Sequence, residues 1–141
     1  MQYVISTLLS QLGKPYIWGG QSPLIGWDCN GLIHWGLDSA GLDTPTDRSA
    51  QGLFDWFDVH GERDPRPGAG VLAFYGKSVA EITHVAFMLD RFRIIEAGGG
   101  DRSCLTLADA IQKRAYVRIR HVSARTPIAL RKPRYASIGL I

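Results

Sequence analysis

The chain has 141 residues, of which 45% are apolar, 21% are charged and 10% are aromatic. This length is sufficient for one domain that buries its own core without disulfide or metal support. No stretch approaches the roughly 18 apolar residues that a membrane-spanning helix requires, so we expect no membrane partner. The four histidines and two cysteines lack the spacing of a zinc site, which predicts a protein without metal or cofactor.

The first residues, MQYVISTLLSQLGKPY, have neither a basic cluster before the apolar positions nor a small-residue cleavage site. Secretory signals carry both features, so we expect synthesis in the cytoplasm without a signal peptide. The two cysteines, Cys29 and Cys104, make no disulfide framework and require no oxidising compartment.

Charge is distributed unevenly along the chain. Residues 110–141 contain eight Lys and Arg and no acid, whereas residues 1–109 contain eight Lys and Arg and all 13 acids. The C-terminal segment therefore carries +8 and the rest −5. Such a segment attracts an acidic partner protein, an anionic polymer or nucleic acid, or it only raises solubility. No known nucleic-acid motif accompanies it, so we rank nucleic acid low.

Apolar spacing predicts helices in the first half of the chain. We expect them over residues 2–12, from the first turn after Asp28 to about residue 40, and from about residue 47 to 60. Asp28 is a candidate N-cap of the second helix. Between the first two helices, YIWGGQSPLIGWD is rich in Gly and Pro and predicts a loop with aromatic anchors.

The period changes in the second half of the chain. The stretches VLAFYG, ITHVAFML, FRIIEA and YVRIRHV predict antiparallel strands, and LTLADAIQKRA predicts a short helix. Helices that precede a sheet indicate an α+β domain, which we place at residues 1–121. Residues 122–141 have prolines and no sustained period, and they predict a basic, extended C-terminal arm.

Cys29 is predicted to lie in the first turn of the second helix. Unpaired N–H groups at a helix N-terminus stabilise a thiolate and can also bind an oxyanion. A lone cysteine is more often a buried structural residue, so a second residue is needed to favour catalysis. Cys104 has no histidine nearby in the sequence, and we interpret it as a structural thiol.

His84 and Glu96 are the candidates for residues that act with Cys29 in catalysis. Alternation in ITHVAFML puts His84 on the strand face opposite Val85 and Phe87, where it is either a core residue or a general base. Glu96 lies twelve residues further on, in the next predicted strand. Two strands joined by a short turn can bring the pair together, so that the carboxylate orients the imidazole.

Five stretches resemble, in order, the motifs of the NlpC-type cell-wall peptidase family: GKPYIWGGQSPLIGWDCNGLIHW, TPTDRSAQGLFDW, RPGAGVLAF, THVAFMLD and RIIEAGGG. The resemblance covers about residues 8–120. It implies a papain-like cysteine peptidase fold, with N-terminal helices packed on a small antiparallel sheet. It also implies hydrolysis of peptidoglycan stem peptides, typically between γ-D-glutamate and a diamino acid.

The resemblance also implies roles for individual residues. Cys29 would be the nucleophile, His84 the general base and Glu96 the third polar residue, which is usually a histidine in the family. Tyr16 would lie near the oxyanion or the substrate, and Asp28 would help to hold the amine end of the substrate. Asn30 replaces a serine that usually follows the cysteine, which affects recognition of that end.

Four tryptophans occur near these motifs. Trp18 and Trp27 flank the cysteine loop, and we expect both to line the cleft. Trp35 and Trp56 are expected to lie in the core.

The form of the site with Glu96, together with the absence of a signal or wall-binding domain from this sequence, resembles small peptidases carried by tailed bacteriophages. We therefore expect a virion protein that opens the host wall during genome ejection, docked to a tail or tail-tip protein by the basic arm. One alternative is a catalytically weak papain-like module that serves as a structural tail-tip component. Another is a cytoplasmic recycling peptidase or an acyltransferase on the same fold.

Overall fold

Helices precede an antiparallel sheet in the computed structural model, which describes residues 1–138. The elements in chain order are α1 (Gln2–Leu9), β1 (Gln21–Ser22), β2 (Gly26–Trp27), α2 (Cys29–Ser39), α3 (Ala50–His60), β3 (Leu72–Gly76), β4 (Ile82–Met88), β5 (Arg93–Gly98), α4 (Leu107–Lys113), β6 (Tyr116–His121) and β7 (Ala129–Arg131). Short 3-10 helices span Val122–Ala124 and Tyr135–Ile138. The predicted α+β class is confirmed.

The main sheet has the order β6-β5-β4-β3-β7, and each neighbouring pair is antiparallel. Strands β1 and β2 form a separate two-stranded hairpin in the loop before α2. Helix α2 packs against β4 and β5, so its N-terminus lies close to the strands that carry His84 and Glu96. None of the helices in residues 1–138 is long and apolar enough to cross a membrane.

Alternation along the strands divides the apolar residues between the two faces of the sheet. Val85 and Phe87 face the helices, where they join a core that includes Leu32 and Leu53. The opposite face carries a second, smaller apolar cluster, whose members are Val71, Ala73, Tyr75, Ala86, Met88 and Ile94. This division matches the alternation predicted for β4.

The third helix begins later than predicted. It starts at Ala50, with Ser49 as its N-cap, and the Ser49 hydroxyl accepts a hydrogen bond from Gly52 N–H at 2.9 Å. Asp47 instead accepts hydrogen bonds from the backbone N–H and the hydroxyl of Ser49, at 3.0 and 2.7 Å. Asp47 therefore orients the cap residue rather than capping the helix itself.

The segment predicted as an extended C-terminal arm packs on the domain, and this corrects the prediction for residues 122–138. Strand β7 pairs with β3, and the side chain of Arg131 forms an ion pair with Asp58 at 2.8 Å. Tyr135 is 5% exposed, and its hydroxyl donates a hydrogen bond to the carbonyl of Gly70 at 2.6 Å. The remainder of the predicted arm, residues 139–141, lies outside the described residues.

Candidate active site

Cys29 is the first residue of α2. The N-cap residue, Asp28, accepts hydrogen bonds from the backbone N–H of Gly31 at Oδ1 (2.7 Å) and from that of Gly19 at Oδ2 (3.1 Å). A Cβ on Gly31 would lie 2.2 Å from the carbonyl oxygen of Gly20, so this position requires glycine. The Asp-Cys-x-Gly motif thus places the thiol at a helix N-terminus, where unpaired N–H groups stabilise negative charge.

His84 and Glu96 lie beside this helix start. The Nε2–H of His84 donates a hydrogen bond to Oε1 of Glu96 at 2.9 Å. Strands β4 and β5 pair Phe87 with Ile95, and the same register puts Glu96 on the sheet face of His84, two positions along. Nδ1 of His84 is then the ring nitrogen available to Cys29, which lines the same cavity. The structure therefore brings the three side chains together.

Two arginines that the sequence reasoning missed complete the surroundings of Glu96. The side chain of Arg118 contacts Oε2 of Glu96 through Nε and Nη2, both at 3.0 Å, and Arg120 contacts the same oxygen at 3.4 Å. Arg118 lies directly opposite Glu96 in the β5–β6 pair. The alternation of YVRIRHV would have put both arginines on one face, but their neighbour could not be known without the strand order.

These contacts set the charges of the pair. Burial by itself would lower the pKa of His84, but hydrogen bonds with Cys29 and Glu96 outweigh it and raise the pKa to about 9. Burial would raise the pKa of Glu96, but the hydrogen bonds from His84 and Arg118 lower it to about 2. Near neutral pH, an imidazolium therefore lies beside a carboxylate, and an imidazolium is the kind of partner that stabilises a thiolate.

Two cavities meet at Cys29. One, of about 410 Å³, is lined by His84, Glu96 and residues 97–102, and we call it the histidine half of the cleft. The other, of about 560 Å³, is lined by Asp28 and Asn30, and we call it the aspartate half. The residues that line both halves are Tyr16, Trp18, Cys29 and Thr83. Each half has the volume of a typical small-ligand site.

Tyr16 and Asn30 lie at the positions that the sequence predicted near the thiol. Burial, followed by the negative charges of Cys29 and Asp28, raises the pKa of Tyr16 above its usual value, so its hydroxyl stays protonated and can donate. The side-chain oxygen of Asn30 lies 3.6 Å from the sulfur of Cys29, and its Nδ2 donates a hydrogen bond to the carbonyl of Arg48. Asn30 thereby ties the helix start to the loop before α3.

The two tryptophans that were expected in the cleft differ. Trp18 is 48% exposed and lines both halves. Trp27 is fully buried, and its Nε1–H donates a hydrogen bond to Oε1 of Gln11 at 3.0 Å. The prediction that Trp27 lines the cleft is therefore wrong, because the β1–β2 hairpin turns this ring into the core, 4.9 Å from the ring of Trp35.

Cys104 lies apart from this chemistry. Its thiol is fully buried and donates a hydrogen bond to the carbonyl of Tyr16 at 3.1 Å, and burial raises its pKa. Across residues 1–138, no group of three or more His, Cys, Asp or Glu side chains could hold a metal ion.

The sequence model of the NlpC/P60 family matches residues 13–121, which is more than half of the chain. The chain belongs to the NlpC/P60 family. Membership confirms the family resemblance noted in the sequence, whereas the phage-tail subtype is a separate matter that this match does not address.

Two bacterial endopeptidases are similar to large parts of this chain. The murein DD-endopeptidase MepH of Escherichia coli is 30% identical over 133 residues, which cover 90% of this chain and 47% of MepH. The bifunctional muramidase/DL-endopeptidase CwlT of Bacillus subtilis is 33% identical over 100 residues, which cover 67% of this chain and 28% of CwlT. The chain therefore spans less than half of each of these two relatives.

A crystal structure from the NlpC/P60 family has the same fold. It is a protein from Staphylococcus aureus described as similar to a lipoprotein, and it is 28% identical with a TM-score of 0.70. The similarity covers 93% of this chain and 40% of that one. The predicted papain-like arrangement, with helices packed on an antiparallel sheet, is thereby confirmed.

Proposed function

We propose that the chain is a cysteine endopeptidase that hydrolyses amide bonds in the stem peptides of peptidoglycan. The observation that carries this proposal is the contact of three side chains, Cys29, His84 and Glu96, from a helix N-terminus and two neighbouring strands. MepH and CwlT are named as endopeptidases, which supports the class of reaction. Their names give different bonds, DD and DL, so they support no single bond for this chain.

The first step is attack by the Cys29 sulfur on the carbonyl carbon of the scissile amide. The thiol proton resides on His84, and the Glu96 carboxylate holds the resulting imidazolium in place. The oxygen of the tetrahedral intermediate becomes negative. The backbone N–H of Cys29, at the start of α2, and the hydroxyl of Tyr16 are the donors available to stabilise it.

The intermediate then collapses. His84 donates its proton to the leaving amine, and the acyl group stays on Cys29 as a thioester. A water molecule, deprotonated by His84, attacks the thioester carbonyl, and the thiolate leaves to restore the enzyme. Because the histidine must reach the leaving nitrogen, the leaving group occupies the histidine half of the cleft and the acyl group the aspartate half.

The acyl part is proposed to be a γ-D-glutamyl peptide with a free amine, and the leaving part a diamino acid. Asp28 supports this orientation because its carboxylate is the acid in the lining of the aspartate half. Its two oxygens each accept one backbone hydrogen bond, and each keeps a lone pair for a substrate ammonium group.

Mass spectrometry of purified muropeptides after incubation with the protein tests the proposal. Wild type should release new amine and carboxyl termini at one stem-peptide bond. Cys29→Ala should lower the rate at least about 10³-fold, because the nucleophile is lost. Cys104→Ala is the matched control, since within residues 1–138 that thiol donates its hydrogen bond to a backbone carbonyl and contacts no residue of the proposed triad. Cleavage that persists in Cys29→Ala, or its absence from wild type, would contradict the hydrolase.

We also propose that the protein acts in the host envelope as part of a phage tail. The support is the resemblance of the Glu96 form of the site to phage-carried peptidases. Since residues 122–138 pack on the domain, docking to a tail protein would use their exposed surface rather than a free arm. Proteomic analysis of purified particles should detect the chain at a fixed copy number, and its absence from them would refute this setting.

A structural tail-tip module is the rival function. The geometry of the site favours catalysis, since Glu96 accepts a hydrogen bond from His84 and so orients its imidazole ring. If particles that carry Cys29→Ala infect as well as wild type, whereas deletion of the chain blocks assembly, the structural function is the correct one.

A further inference from the structure

Four arginines line the histidine half of the cleft: Arg102, Arg118, Arg120 and Arg125. The acids in the same lining are Glu96 and Asp101, so the lining carries an excess of two positive charges before His84 is counted. The aspartate half is lined by one acid, Asp28, and one cation, Arg48, and is therefore balanced. The two halves differ in charge as well as in position.

Two of these arginines form ion pairs with a carboxylate of the described residues, and two do not. Arg118 and Arg120 share the carboxylate of Glu96. Arg102 is exposed and has no hydrogen bond or ion pair with residues 1–138, and within the same residues Arg125 has no acidic partner. Two guanidinium groups therefore face the cavity with their donors available for a ligand.

Arg125 is held in position by an aromatic ring. Its guanidinium lies 5.0 Å from the ring centroid of Tyr75, at a distance typical of a cation–π contact. Tyr75 is 1% exposed, and its ring centroid lies 5.4 Å from that of His84. A fixed ring thus places one unpaired cation beside the histidine that would protonate the leaving amine.

Two glycines, Gly98 at the end of β5 and Gly100 just after it, leave space for this cavity. A Cβ on Gly98 would lie 2.7 Å from Oε2 of Glu96 and 2.8 Å from Nη2 of Arg118, and a Cβ on Gly100 would lie 2.1 Å from the ring of Tyr16. Glycine at position 98 lets the backbone pass close to the Glu96–Arg118 ion pair, and glycine at position 100 lets it pass close to the ring of Tyr16. A larger residue at position 98 would displace the Glu96–Arg118 contact.

We propose that the histidine half binds a free carboxylate on the leaving group, through Arg102 and Arg125. Planar guanidinium groups bind carboxylates through paired, charge-assisted hydrogen bonds, which neutral amides cannot replace. The inference rests on the proposed function, because the assignment of the leaving group to this half follows from the role of His84. It adds a selection rule: substrates whose leaving diamino acid carries a carboxylate bind better than their amides.

Two carboxylates on such a leaving group have this chemistry. One is the side-chain carboxylate of a diaminodicarboxylic acid, and the other is the C-terminal carboxylate of a short stem peptide. A set of four synthetic peptides distinguishes them: both groups free, only the side chain amidated, only the C-terminus amidated, and both amidated.

The binding test uses the full chain with Cys29→Ala, and calorimetric titration with each of the four peptides. We expect the peptide with free carboxylates to bind about tenfold more tightly than the doubly amidated one, as expected for two partly exposed ion pairs. The singly amidated peptide that loses this advantage identifies the carboxylate. Equal affinity for the free and doubly amidated peptides, or binding of neither, overturns the inference.

Arginine variants in the same background test the assignment. Arg102→Gln with Arg125→Gln should remove the tenfold preference, and Arg66→Gln, an exposed arginine outside both halves of the cleft, should retain it. A preference that survives the double substitution contradicts the assignment. A gross loss of fold is excluded by comparing far-ultraviolet circular dichroism and the melting temperature with those of Arg66→Gln.

Cleavage of the same peptides by the chain with Cys29 intact separates the two proposals. Thiol-dependent cleavage of free and amidated peptides at equal rates would support the hydrolase and overturn the carboxylate site. Selective binding without cleavage would support the carboxylate site and overturn the hydrolase.

Discussion

The two halves of the cleft stabilise their buried carboxylates by different means. Asp28 is 9% exposed and accepts hydrogen bonds from neutral donors, the backbone N–H groups of Gly19 and Gly31. Glu96 is 4% exposed and accepts hydrogen bonds from three groups that can carry positive charge, on His84, Arg118 and Arg120.

The difference appears in the acidity of the two groups. Burial raises the pKa of Asp28, and its neutral donors only partly offset this effect. Burial acts on Glu96 in the same direction, but its charged neighbours reverse the outcome and lower its pKa. At similar burial, the charge of the donors decides the acidity. Asp28 therefore suits a structural and substrate-binding role, whereas Glu96 suits the support of an imidazolium.

A third buried group, His34, sharpens the comparison because it has no partner. It is 1% exposed, and neither ring nitrogen has a hydrogen-bond partner within residues 1–138. Burial, assisted by the charge of Arg48, lowers its pKa to about 4. The folded state therefore favours the neutral ring, so its contribution to stability is complete above the unfolded pKa of about 6.5 and is lost as the pH falls to about 4.

We expect the free energy of unfolding to fall by about 3 kcal/mol over that window because of His34 alone. Guanidinium denaturation at pH 7.5 and pH 4 should show a loss that is about 3 kcal/mol larger in wild type than in His34→Leu, because the contribution of His84 is common to both proteins. Glu96 contributes little to the change between these two pH values. Because its pKa is lowered, its contribution to the free energy of unfolding is lost between about pH 4.5 and pH 2. Equal pH dependence in the two proteins would show that the protonated ring is accommodated.

Glu96→Ala removes the buried carboxylate that has charged donors. The imidazole loses its orienting acceptor, and Arg118 and Arg120 lose their carboxylate, so we expect kcat for stem-peptide cleavage to fall on the order of 100-fold. The pKa of His84 should also fall, because Glu96 helps to raise it. The alkaline limb of kcat/KM should then move to lower pH.

Glu96→Gln separates orientation from charge in the same assay. An amide oxygen can still accept the hydrogen bond from His84, so kcat should recover in part while the alkaline limb stays displaced. An unchanged pH profile in both variants would mean that the Glu96 charge has no catalytic effect.

Trp18→Ala tests the exposed ring that both halves share. We expect KM to rise about tenfold with kcat nearly unchanged, because the ring offers contact area to the substrate and no group to the reaction. Its side chain is half exposed, so the melting temperature should change little. The control is Trp27→Phe, which alters a buried ring and should lower the melting temperature instead. A fall in kcat with constant KM for Trp18→Ala would contradict a binding role.

Most of the fold was predictable because long elements have a clear period. Helix α2 and strands β3 to β6 lie within about two residues of their predicted positions. Strands β1, β2 and β7 were missed, because two or three residues have no period and their pairing partners are distant in sequence. The same limit produced the incorrect arm, since residues 129–131 form a strand by pairing with β3, about 57 residues earlier in the chain, and Arg131 bonds Asp58.

The site was predictable where its residues lie in local motifs. Cys29 follows its own N-cap, and the register of one hairpin relates His84 to Glu96. Arg118 and Arg125 could not be predicted, because they reach the cleft through strand order and a cation–π contact. The basic character of residues 110–141 is evident in the sequence, but the structure shows that part of that charge lines the cleft.

Asp28→Asn gives the smallest expected effect and tests the buried carboxylate that has neutral donors. Asparagine is as good an N-cap as aspartate, so α2 should keep its start and Cys29 its place. The new amide would face the N–H of Gly19 and lose that hydrogen bond, at a cost of about 1 kcal/mol in unfolding free energy.

The catalytic effect should depend on the substrate. For peptides with a free amine we expect KM to rise about threefold, since the asparagine oxygen can still accept a hydrogen bond from the ammonium group and only the charge is lost. For the same peptides with an acetylated amine, KM should not change. If both peptides respond equally, Asp28 acts only through the helix start, and the aspartate half owes its selectivity to other residues.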